Sequence, residues 1–284
     1  MTVVDLDGLV AEARQRGRAL PAFNLITLEH AEAIVAAASQ AGRGVVLALS
    51  ENAIRYHGAA EPILAAAHLV ASRADVPIAV HLDHLTDDDL VAEAVHGPLR
   101  RYLSSLMYDG GPLPYAENLA RTKRVVDDGH SVGLWVEAEL GYVGGKPGAA
   151  QSAHAPGVRT DPDEALAFVE STGVDALAVA VGSSHAMTEQ TARLDHDLIA
   201  ALAARVPVPL VLHGSSGVPP DELRRAVSAG MTKINVGTAL NLAMTASVRS
   251  GLAADPHLTD PRRYLAPART AMRDAVLHLL DTLE

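Results

Sequence analysis

Short, nearly all-apolar runs alternate along this chain with alanine-rich stretches of helical period. The runs fall at residues 20–24, 45–50, 77–82, 102–108, 131–138, 175–182, 208–213 and 232–236. Strands covered on both faces lose the alternation of a half-exposed sheet, so these runs predict parallel strands under helices. Helical spacing fills the intervals at 30–40, 62–72, 87–95, 115–127, 162–171, 196–204 and 219–229. Asp161-Pro162 has the form of an N-cap and first helical position, and Gly42, Gly173 and Gly230 follow helix ends.

Eight strands, each followed by a helix, predict a (β/α)8 TIM barrel, read as a single domain over residues 1–284. Residues 260–284 add a C-terminal helical extension. The alternative is a doubly wound open sheet. It usually carries a Gly-rich first turn, whereas Asn24-Leu25-Ile26-Thr27 follows the first run here. The connection 141–160 is long, aperiodic and rich in Gly, Ala and Pro, which predicts a mobile active-site loop.

Composition narrows the function. With no cysteine among 284 residues, disulfides, thiolate metal sites and thiol nucleophiles are excluded. Thirty-four acidic against 23 basic residues, net −11, and 3% aromatics argue against a nucleic-acid partner. No apolar run approaches the ~18 residues of a membrane span. The opening MTVVDLDGLVAEARQ places acids where a secretion signal would be basic, which predicts a cytoplasmic protein.

A barrel builds its chemistry at the carboxyl ends of its strands. The third run ends in His81-Leu82-Asp83-His84, the fourth at Asp109-Gly110-Gly111 and the fifth in Glu137-Ala138-Glu139. The sixth leads to Gly182-Ser183-Ser184-His185, the seventh to His213-Gly214-Ser215-Ser216-Gly217 and the eighth to Asn235-Val236-Gly237-Thr238. His84, His185 and His213 are thus candidate ligands of an all-histidine metal site with an open position. Asp83 is a candidate proton donor or acceptor, or else a turn residue. Asp109 and Glu139 are either carboxylates supporting the ligands or a second metal position, and spacing does not separate the roles of Glu137 and Glu139. His81 is expected to pack or to support the site. Small residues before helix starts at 214–217 and 235–238 offer backbone N–H groups to an anion.

These motifs, with Pro21-Ala22-Phe23-Asn24 and 260–269, resemble the successive signatures of class II, zinc-dependent ketose-bisphosphate aldolases over nearly the whole chain. The resemblance implies zinc on His84, His185 and His213, a catalytic Asp83, and a secondary metal position at Asp109 and Glu139. It also implies substrate and phosphate contacts at Asn24, Ala186, Gly214, Ser215, Ser216, Asn235, Val236, Gly237 and Thr238. A sodium or potassium ion near the phosphate, and homodimers or homotetramers, are further implications. The activity implied is reversible cleavage of a phosphorylated ketose, of the fructose- or tagatose-1,6-bisphosphate type, to dihydroxyacetone phosphate and an aldehyde. Arg262 or Arg269 is expected to add positive charge for the phosphate, since lysine is scarce.

Besides about four extra residues in the stretch 95–102, with Arg100 and Arg101, the chain departs from the family in two places. Ala186-Met187-Thr188-Glu189-Gln190 stands where relatives carry Gly, then Tyr and Lys nearby. After Gly144-Gly145 no acid occurs before Asp161, and His154 is the candidate replacement. Both departures point to a different phosphorylated substrate, or to a non-catalytic accessory subunit, as alternatives. A zinc hydrolase would leave the anion cradle unexplained. A Schiff-base aldolase needs a desolvated lysine in the barrel, and Lys233, at the start of the eighth strand, is expected at the wrong end.

Overall fold

The structure, a computed structural model, describes residues 3–141 and 159–284. Its strands are β1 (Leu20–Asn24), β2 (Val45–Ser50), β3 (Ile78–Leu85), β4 (Ser105–Tyr108), β5 (Trp135–Leu140), β6 (Ala176–Val179), β7 (Leu210–Leu212) and β8 (Met231–Val236). All pair in parallel, and β8 returns to β1, so the sheet is a closed eight-stranded barrel rather than an open doubly wound sheet. The helices are α1 (Leu6–Gln15), α2 (Leu28–Ala41), α3 (Glu51–His57), α4 (Glu61–Ser72), α5 (Asp88–Val95) and α6 (Tyr115–Ser131). They continue with α7 (Pro162–Thr172), α8 (His196–Arg205), α9 (Pro220–Ala229), α10 (Thr238–Ala254) and α11 (Pro261–Thr282). The greater part of the loop expected at 141–160, with Lys146 and His154, lies outside the described residues.

Alternation along each strand divides the protein into two cores. Outward residues such as Phe23, Leu47, Val80, Leu106, Val136, Leu177, Leu212 and Ile234 pack beneath the surrounding helices. Inward residues fill the barrel in layers, as side chains of neighbouring strands do in a closed sheet. At the amino end these are Leu20, Ala22, Val46 and Ala79, sealed by Leu6, Leu9 and Val10 of α1. Toward the carboxyl end the inward positions become His81, Asp83, Ser105, Glu137, Glu139 and Asn235, all buried, and buried Lys233 extends toward them from the register of Leu20. The floor is apolar and the upper layer is charged.

Helix α1 and the short α3 lie outside the elements expected from periodicity. Helix α6 runs to Ser131, because its stop is Gly133 in the left-handed region at φ +70°, and β5 therefore begins at Trp135 rather than at 131. Strand β3 extends to Leu85, three residues past the apolar run. The C-terminal extension is α11, which packs on α10 and α2 with Met272, Val276 and Leu280 buried. Among the described residues, no helix is long and apolar enough to cross a membrane.

Candidate active site

The end of β3 sets the geometry. In a regular strand Asp83 and His84 would face opposite sides of the sheet. Here the β3–β4 register shifts between Leu82 and Leu85, and His84 adopts φ +55°. That left-handed conformation is uncommon outside glycine, and the bulge it makes re-aims the side chain. His84 Nε2 lies 3.9 Å from Asp83 Oδ2, so consecutive residues serve one pocket. The turn is held from beneath by Glu51, at the start of α3, whose carboxylate accepts from the N–H of Thr86 and Asp87 and from the Thr86 hydroxyl.

Three histidines converge at this mouth. His84, His185 from the loop after β6 and His213 just past β7 each bring a ring nitrogen within 4.8 Å of the others. A second group, His84, Asp109 and Glu139, meets the same limit. His84 Nδ1 lies 2.8 Å from Asp109 Oδ2, and His213 sits between Glu139 (Nδ1, 3.0 Å) and Glu137 (Nε2, 3.1 Å). Imidazole nitrogens and carboxylate oxygens without thiolate form a donor set for a divalent ion with nitrogen or oxygen preference, so the residues present fit a metal. Burial by itself would lower the pKa of His213, but hydrogen bonds to Glu137 and Glu139 override it and raise the pKa to about 9.

Asp83 is fully buried and accepts two amides, Asn24 Nδ2 at 2.7 Å and Asn235 Nδ2 at 3.2 Å. Burial would raise its pKa; the neighbouring His84, His213 and Lys233 outweigh burial and hold it well below the usual carboxylate range. His81 donates or accepts at Ser105 Oγ over 2.8 Å, and burial with the nearby Lys233 charge pushes its pKa down to about 4, leaving a neutral ring. It supports the site from below, as its place on the strand implied.

Lys233 lies toward the start of β8, paired with Leu20 as expected, but its side chain is fully buried inside the barrel, with Nζ 2.8 Å from Glu137 Oε2 and 2.7 Å from Asn235 Oδ1. The apolar run marks where β8 begins, but a lysine reaches several ångströms up the barrel axis. Sequence reasoning missed this pair; the signal available was a lysine at an inward position of a strand otherwise buried.

The mouth is lined by Asn24, Ser50, Asn52, Asp83, His84, Ser184, His185, Ala186, Gly214, Ser215, Ser216, Asn235, Gly237 and Thr238. Of the expected substrate contacts, the Val236 side chain alone points away, buried under the helices. The β7 and β8 loops are tied together, with the Ser215 hydroxyl donating to the Asn235 carbonyl and Ser216 Oγ accepting from Ala239 N. Gly237 caps α10 with no side chain, leaving the positive end of the helix toward the pocket. Neither lysine nor arginine is among the described lining residues. Arg262 instead pairs with Asp260, and Arg269 with Glu32, and neither is among the described lining residues of this chain.

A closed (β/α)8 barrel with a donor set that fits a metal and a buried carboxylate at its strand ends is the architecture of a barrel enzyme. Residues 4–284 match the family described as class-II fructose-bisphosphate aldolase. The chain is 39% identical to a fructose-bisphosphate aldolase of Thermus caldophilus, with 97% of this chain and 96% of that protein covered. It superposes on the YdjI aldolase of Escherichia coli K12 with TM-score 0.82 and 28% identity, over 99% and 97% of the two chains. The fold is shared with a fructose-bisphosphate aldolase of Campylobacter jejuni at TM-score 0.81 and 20% identity, over 99% and 95% of the chains. The chain belongs to the class-II fructose-bisphosphate aldolase family, and is an aldolase, a carbon–carbon lyase.

Proposed function

We propose that this aldolase is zinc-dependent and cleaves a ketose 1,6-bisphosphate, fructose- or tagatose-type, to dihydroxyacetone phosphate and an aldehyde. The observation that carries the reading is the convergence of His84, His185 and His213 beside a buried, amide-anchored Asp83. His84, His185 and His213 would hold the ion, with Asp109 and Glu139 orienting the rings or offering a secondary divalent position. When bound, a zinc ion supplies Lewis acidity that polarises a ketone oxygen.

The remaining steps belong to the chain itself. Asp83, ionised, accepts the proton of the aldehyde-derived hydroxyl as the carbon–carbon bond breaks, and returns it in the condensation direction. Asn24 and Asn235 keep both carboxylate oxygens engaged and so fix its orientation. Gly214, Ser215, Ser216, Gly237 and Thr238 would hold the phosphate through backbone amides, and a sodium or potassium ion beside it would add the positive charge that no described lining residue carries. That anchoring places the reacting carbon at a defined distance from Asp83, the proximity contribution.

A second reading, a different phosphorylated ketose, is favoured by one observation. Met187 packs against Gly217 in the segment where relatives carry other residues. An accessory subunit without turnover is the third. Zinc-loaded protein assayed against a panel of phosphorylated ketoses separates them. Cleavage of the 1,6-bisphosphates is expected; cleavage of another ketose alone favours the second reading, and none at all favours the third. A homodimer or homotetramer is proposed because Leu242 and Leu252 leave apolar surface on α10; light scattering should give a mass at a multiple of 29.6 kDa.

A further inference from the structure

The ion pair at the centre of the barrel belongs neither to the histidine cluster nor to the anion cradle. Lys233 and Glu137 are both fully buried, 2.8 Å apart. Moving an ammonium and a carboxylate out of water is costly, and well-packed apolar side chains of similar size commonly do as well or better for stability. Stability alone is therefore a weak reason for the pair. Its other contacts give a stronger one.

Each member of the pair holds one half of the site. An ammonium has only donors, so the amide of Asn235 must turn its oxygen to Lys233, at 2.7 Å, and its NH2 to Asp83, at 3.2 Å. An ionised carboxylate only accepts, which makes that the one consistent orientation of the amide. On the other side, Glu137 takes Lys233 on Oε2 and faces His213 Nε2 with Oε1 at 3.1 Å. With the Nε2 proton given to Glu137, Nδ1, which here lies 3.0 Å from Glu139 Oε2, is the nitrogen that would turn to a metal in exchange for that contact. Asp83, Asn235, Lys233, Glu137 and His213 thus form one directional chain, with the ammonium as the donor that both arms share.

We infer that Lys233 is a positioning residue which fixes the Asn235 amide toward Asp83 and, through Glu137, the tautomer of His213. It couples the orientation of the proton-transfer group to that of a metal ligand without touching either. The inference rests on the proposed roles of Asp83 and His213.

The test uses the full chain, loaded with zinc or with cobalt(II), as wild type, K233M and the neutral pair K233M/E137Q. In the neutral pair no buried charge lacks a partner, and the amide that replaces the Glu137 carboxylate still offers a carbonyl to His213 Nε2–H. Folding, the cobalt absorption spectrum and zinc affinity should therefore stay close to wild type. The Asn235 amide has lost the donor that fixed it. The kcat for fructose-1,6-bisphosphate should then fall about 10–100-fold with KM changed less than about threefold, the size of effect common for groups that orient others. K233M alone should in addition weaken zinc in a chelator competition, because Glu137 loses the ammonium that holds its carboxylate against His213 Nε2. Wild-type kcat in the neutral pair would reduce Lys233 to a structural residue and overturn the inference. So would a kcat loss that saturating zinc restores, since only metal retention would then have changed. If the wild type cleaves no phosphorylated ketose, the proposed reaction fails instead, and weaker zinc binding in K233M still tests the His213 arm by itself.

Discussion

Asp83 carries an amide on each carboxylate oxygen, one from Asn24 on β1 and one from Asn235 on β8. Asp83→Ala removes the proposed proton acceptor but none of the three histidines, so zinc should remain stoichiometric while kcat falls about 10²–10⁴-fold. Metal analysis beside steady-state kinetics checks it, and loss of zinc would reassign the residue as a ligand. His213→Ala should show the reverse order of effects, with bound zinc lost first, as elemental analysis of the purified protein would reveal. Gly214 has φ +67°, and a Cβ there would lie 2.6 Å from the Ser184 carbonyl carbon. Gly214→Ala should therefore cost about 2–4 kcal/mol, from the left-handed penalty plus the clash, measurable by urea unfolding. Ala186 occupies the same kind of backbone, at φ +58°. It bears a strain of about 1 kcal/mol to do so.

Elements were legible in the sequence wherever periodicity was long and undisturbed. The N-cap of α7 is an example: Asp161 accepts from the N–H of Asp163 and Glu164, as its place before Pro162 predicts. Asp161→Ala should destabilise by about 1 kcal/mol, seen as a lowered midpoint in denaturant with unchanged slope. Boundaries were less legible. Strand β3 continues past its apolar run because the barrel, not local hydrophobicity, keeps Asp83 and His84 in the sheet. Helix α1 shows apolar residues at 6, 9, 10 and 13, a helical stripe, yet its role as the floor under Ala22, Val46 and Ala79 exists only once the barrel closes. In α11, Pro267 is tolerated inside a 22-residue helix that packs on two neighbours.

At the scale of the whole molecule, the −11 net charge and the charged layer inside the barrel concern different places. Most acids lie outside, while the buried layer sets Asp83, Asp109, Glu137 and Glu139 against Lys233 and the histidines. One consequence is a pH dependence of metal binding. In the metal-free protein His213 holds its second proton up to about pH 9, and a metal must displace that proton. Zinc affinity should therefore rise with pH about tenfold per unit below that value and level off above it, as titration with a competing chelator at several pH values would measure. The same raised pKa stabilises the metal-free fold. That contribution is complete below His213's unfolded value near 6.5 and is lost as pH rises through about 9, so thermal unfolding should become easier over that window.

The sequence by itself determined the eight-strand alternation, the end of the barrel where chemistry collects, and the residue types of the metal cluster. These follow from local composition and from the rule that one end of a parallel barrel carries its loops. The tertiary structure decided what depends on distance between strands far apart in the chain. It turned His84 beside Asp83 through a bulge, left Arg262 and Arg269 outside the described pocket lining of this chain, and brought Lys233 to Glu137 across the barrel. Register and side-chain reach set these contacts, and neither is encoded in the spacing of a single strand.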